Sequence, residues 1–147
     1  MLAAIRAAFL KNVEGLTLEQ LLFIPAGLRN NILWHLGHVV ATQQSLHYKL
    51  SGLPLLVSED FMENFRPGTS PEKWTATPDV DEVKRLLVSL PEQLAADYEA
   101  GKFKEYQGFT SRTGVYCEEV EAAVEFNLFH EGIHLGTIQT YKKMLAA

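Results

Sequence analysis

Between about Val115 and Met144, the residues Val120, Ala123, Val124, Asn127, His130, His134, Ile138 and Tyr141 recur at the spacing of one helix face. A long helix with one inward stripe is stable only when that stripe packs against other elements. The rest of the chain must therefore supply its partners, and three more stretches share the same period.

The first runs from Leu2 to about Asn12. It puts Leu2, Ile5, Phe9, Val13 and Leu16 on one face, and Gly15 ends it. Thr17 and Gln20 then have the spacing of a capping box, and Pro25 and Gly27 break the chain. The second starts near Asn30 or Asn31, both good N-caps, and stops at Ser51-Gly52. It carries two neighbouring stripes, Ile32, His35, Val39, Leu46 and Leu50 beside Trp34, His38, Ala41 and Ser45, so much of it should be buried.

The third runs from about Asp79 to Ala100. Asp79, Asp81 and Glu82 sit in its favoured acidic first turn, and Leu86, Leu87, Leu90, Leu94 and Tyr98 form its core face. Pro91 predicts a kink or a break there, with Ser89 as a new cap. No stretch alternates convincingly as a strand. Four helical patterns predict an all-α four-helix bundle. Leu53 to Pro78, 26 residues with a short helix over Ser58 to Phe65, reads as a long crossover between helices two and three. A link of that length lets helix three lie parallel to helix two.

The chain has 147 residues, the size of one domain, so 1–147 is expected to share one core. A net charge of −5 without a basic cluster argues against nucleic acid, whose binding rests on neutralising phosphates. No apolar run has the length of a membrane span. The N-terminal stretch is interrupted by Arg6 and Lys11 and reads as a helix, not a signal sequence. A single cysteine, Cys117, excludes an internal disulfide and suits a reducing compartment, so the expected location is cytoplasmic.

The chemistry concentrates in five histidines. His130 and His134 lie one helical turn apart on one face, where two imidazoles can share a metal ion. With Glu131 between them they satisfy the His-Glu-x-x-His pattern of zinc metalloproteases. Those enzymes usually take a third ligand from downstream, yet no His, Asp or Glu follows His134. A third ligand must come from upstream, and Trp34-His35-Leu36-Gly37-His38 offers two. Spacing barely separates His35 from His38. Gly37 costs about 1 kcal/mol in a helix interior, which makes sense if something approaches closely there.

Asn31-Ile-Leu-Trp-His-Leu-Gly-His38 and Phe129-His-Glu-Gly-Ile-His-Leu-Gly-Thr-Ile138 together resemble the two signature blocks of the DinB/YfiT-like family of metal-dependent enzymes. The resemblance covers essentially the whole chain and implies a four-helix bundle. It also implies that His38, His130 and His134 are the metal ligands, completed by one or more waters. His35 then becomes a core or supporting histidine, hydrogen bonded by its ring N–H.

Beside these ligands, Glu131 is the candidate catalytic residue, a general base. The equal alternative is a carboxylate that orients a histidine or forms an ion pair. Asn127 lines the pocket or simply packs, and Trp34 and Cys117 read as core. His47 reads as surface. Three imidazoles suit zinc first and nickel next.

The resemblance implies a hydrolase, or a transferase using a low-molecular-weight thiol, acting on a small-molecule substrate. It also implies a homodimer. The alternative is a non-catalytic metal-binding or sensing bundle, also dimeric.

Overall fold

A computed structural model describes residues 1–145. Six helices dominate it: α1 (Leu2–Val13), α2 (Leu18–Leu22), α3 (Ile32–Gln43), α4 (Glu59–Phe65), α5 (Val80–Glu99) and α6 (Val120–Leu145). The four long ones form a bundle. α3 packs on α5 and α6, and α1 packs on the same two, so α1 and α3 stand at opposite corners. This is the expected all-α bundle, and no helix among the described residues is long and apolar enough to cross a membrane.

Several helices start where a capping side chain satisfies free N–H groups. Asn31 Oδ1 accepts from Trp34 N at 2.8 Å and opens α3. Asp79 Oδ1 accepts from Asp81 N and Glu82 N and opens α5. Thr17 and Gln20 close the expected capping box at the start of α2. All of α3 is buried, as a helix flanked by α4, α5 and α6 must be. Past Gln43 the same helix widens into a π-turn (Gln44–Tyr48), tightens through Lys49–Ser51, and stops at Gly52 with φ +68°. Such π-turns interrupt the regular hydrogen-bond ladder and recur at functional sites. The long connection carries the expected α4, which packs on α3.

Two expectations need correction, the possible break at Pro91 and the start of the last helix. α5 runs unbroken through Pro91, and Ser89 caps nothing. Proline removes one backbone bond, but buried Leu86, Leu87, Leu90 and Leu94 hold the helix to the core on both sides of it. The last helix starts at Val120, not Val115. Ahead of it β1 (Phe109–Thr110) and β2 (Tyr116–Cys117) form a minimal antiparallel hairpin. Its turn needs Gly114 at φ +83°, and Ser111 N donates to Val115 O at 2.8 Å. Cys117 is thereby fully buried at the hairpin's inner edge.

Candidate metal centre

α3 and α6 face each other, and their histidines meet between them. One ring nitrogen from each of His38, His130 and His134 lies within 4.8 Å of the other two. Ring centroids are 4.5 Å apart for His130 and His134, 4.9 Å for His38 and His134, and 5.3 Å for His38 and His130. Nitrogens bonded to zinc at about 2.0–2.1 Å with tetrahedral angles stand about 3.3 Å apart. The Nε2 atoms of His130 and His134 are 3.1 Å apart, close to that value.

The surroundings fix the tautomer of His38. His38 Nδ1 lies 2.7 Å from the Phe65 carbonyl. A carbonyl only accepts, so Nδ1 carries the proton and Nε2 keeps its lone pair. His134 Nδ1 lies 2.8 Å from His35 Nδ1. With His134 as the donor there, its Nε2 is free to ligate. In that arrangement His35 contacts His134 from outside the group of three ring nitrogens. Trp34 stacks on His38 at 4.3 Å and 12°, and Tyr141 meets the His35 ring edge-on at 5.4 Å.

All three candidate ligands are uncharged at neutral pH. Burial lowers His38 to about 4, despite the opposing pull of the Phe65 carbonyl. Burial, then the positive charges of His38 and Arg6, lowers His130 to about 3. Burial, then repulsion from His130, His38 and His35, lowers His134 to about 2. Metals bind deprotonated imidazole. The donor set therefore fits a divalent ion of the zinc, nickel, copper or iron kind.

Gly37 is explained by its neighbour: a Cβ there would overlap the Phe65 ring. The close approach foreseen from the glycine is that of α4, whose last residue also supplies the carbonyl that holds His38.

Glu131 sits elsewhere. One residue past His130 turns the helix by about 100°, away from the histidines and toward α1. There Arg6 Nε and Nη2 each donate to the carboxylate at 2.7 Å, and Asn127 Nδ2 donates at 2.8 Å. Arg6 Nη2 also reaches Val39 O and Gln43 Oε1. Arg6, Asn127 and Glu131 are essentially inaccessible. The deepest line of α6 is therefore Ala123, Asn127, Glu131 and Ile138, while His130 and His134 lie half-buried beside it. Sequence reading missed Arg6 as a core residue, although it falls four after Leu2 and three before Phe9 on the buried stripe. His47, expected at the surface, is fully buried, because the π-turn rotates it inward.

The cluster borders a cavity of about 550 Å³, lined at one end by His38 and His130. Its walls include Leu46, Leu50, Phe109, Phe126, Phe129 and Ile133. The hairpin, unforeseen from sequence, thus forms part of its rim.

Bundle and cluster together define a helical protein with a three-histidine site between facing helices. The sequence profile of the DinB superfamily matches residues 1–138, and the chain belongs to that superfamily. A comparison with curated proteins found no match.

Proposed function

We propose that this protein is a metal-dependent enzyme acting on a small-molecule substrate, with His38, His130 and His134 as the ligands. One observation carries the reading: two of the three candidate ligands line a cavity large enough for a substrate. A purely structural ion is normally enclosed by four protein ligands, whereas a catalytic one keeps a position open. A divalent ion here, zinc first and nickel next, supplies Lewis acidity and lowers the pKa of a water or thiol in its open position.

The chain's own residues do the rest. Phe65 O holds the proton of His38 at Nδ1, and His35 holds that of His134, so both Nε2 lone pairs stay aimed at one point. Trp34 shields His38 from water on one face. Thr42 Oγ1 lies 3.4 Å from His38 Nε2 and on the cavity wall. Glu131 is assigned to the ion pair with Arg6 and not to proton transfer, because both its oxygens are committed. The reaction class is hydrolysis or thiol transfer, since both need an activated nucleophile at such a position.

The test is to load tag-free protein with zinc, nickel or manganese and to screen simple esters and thiol adducts against His38→Ala. Metal-dependent turnover that the variant lacks supports the enzyme. Tight metal binding without turnover under any metal favours a sensing module instead.

A further inference from the structure

We infer that the cavity beside the histidines selects a small organic anion with an apolar, ring-bearing body, the anionic group meeting Lys49 and Arg112. The inference rests on the proposed enzyme for its role, but its binding step does not require bound metal.

The charge pattern is the first argument. The chain carries 18 acids against 13 Lys and Arg, yet no Asp or Glu lines this cavity. Its only charged residues are Lys49 and Arg112. Lys49 lies just past the π-turn of α3 and Arg112 on the hairpin turn, and neither makes an ion pair among the described residues. In a net-acidic protein, a concave surface holding two unpaired cations and no acid attracts an anion.

The walls are the second argument. Phe109, Phe126 and Phe129 form a chain of rings with centroids 6.5 and 6.2 Å apart. That is the range in which aromatic groups pair edge-on or offset, and a ligand ring can join them. Phe129 and Ile133 remain 53% and 50% exposed, so a ligand body covering them gains apolar burial. The volume, about 550 Å³, suits a small molecule and excludes a long lipid. A neutral amphiphile would satisfy the walls but leave both cations unused.

The experiment is calorimetric titration of metal-free protein with phenylbutyrate and with phenylbutanol, a pair matched in body and different in charge. Wild type should bind phenylbutyrate about tenfold more tightly. Each exposed cation is worth roughly up to 1 kcal/mol, or about fivefold. In Arg112→Ala/Lys49→Ala the two ligands should converge, with phenylbutanol unchanged. High salt should shrink the preference. Ile133→Trp, at an exposed helix position, should weaken both ligands without moving the thermal midpoint.

No binding of phenylbutyrate at millimolar concentration would overturn the inference. So would equal affinity for the two ligands in wild type, or a preference that survives the double variant. Zinc binding is measured on the same samples. Absence of zinc binding alongside an intact preference would remove the metal-dependent enzyme and leave the anion site standing. Zinc binding without the preference would do the reverse.

Discussion

Replacing Glu131 by Leu should destabilise the fold severely, and a second substitution should undo most of the damage. In the native protein the Arg6 guanidinium, 1% exposed, is neutralised by a carboxylate that is 0% exposed. Removing the carboxylate leaves a buried cation whose remaining partners are the Val39 carbonyl and the Gln43 amide oxygen. Breaking a buried pair on one side costs about 3–5 kcal/mol. A domain of this size typically holds about 5–15 kcal/mol in total, so about a fifth or more of its stability is at stake.

With a urea slope of about 2 kcal/mol per molar, the unfolding midpoint should fall by roughly 2 M. Arg6→Met alone should cost about as much, because it strands the carboxylate instead. The double variant Arg6→Met/Glu131→Leu removes both charges with little change in volume and should regain most of the loss. The assay is urea unfolding followed by circular dichroism on all four proteins. A strictly additive double variant would refute the reasoning, as would a Glu131→Leu midpoint equal to wild type. Wild-type stability with abolished metal-dependent turnover would restore Glu131 as the general base.

Gly37→Ala forces a methyl group against the Phe65 ring, which should cost about 1–3 kcal/mol. It should also weaken zinc binding through the displaced Phe65 carbonyl, read by competition with a chromophoric chelator. His35→Ala removes the hydrogen-bond partner of a ligand and should weaken zinc binding about 10–100-fold while leaving the fold intact; unchanged affinity would show that His35 only packs. Burial first, with the charge of Arg6 also contributing, lowers His47 to about 4 from its ordinary 6.5. The unfolded chain then binds the proton more readily, so stability should fall as pH drops from about 6.5 toward 4, by up to roughly 3 kcal/mol, and be unaffected above that window. His47→Gln should make that acid slope shallower without abolishing it in urea titrations run at successive pH values, because burial also lowers His35, His38, His130 and His134. Cys117, fully buried, should resist a thiol reagent in native protein and react only on unfolding.

The histidine cluster was legible because helical spacing projects directly into space. His130 and His134 fall one turn apart, and a second buried helix offered His38. Spacing left His35 and His38 undecided; the family resemblance favoured His38, and in the structure both are buried about equally while His38 is the one whose ring nitrogen gathers with those of His130 and His134. The Phe65 carbonyl lies 27 residues along the chain from His38, so no local pattern could announce it. Glu131 stood equally as a general base or an ion-pair carboxylate because its motif describes a neighbourhood in sequence, whereas its carboxylate is paired by α1 across 125 residues. His47 was placed outside because it falls late in its helix, yet that stretch widens into a π-turn in which it is buried. The hairpin was invisible because two-residue strands carry too little alternation to register.

The central claim is that three imidazoles from two helices bind one ion and leave it accessible. Elemental analysis of tag-free protein, combined with X-ray absorption at the edge of the metal found, tests it most directly. The expected result is one divalent ion per chain with three imidazole nitrogens at about 2.0–2.1 Å and a further light-atom ligand that exchanges, all lost in His130→Ala. Protein that takes up no ion when zinc is supplied in excess, or an ion whose coordination survives that substitution, would contradict it.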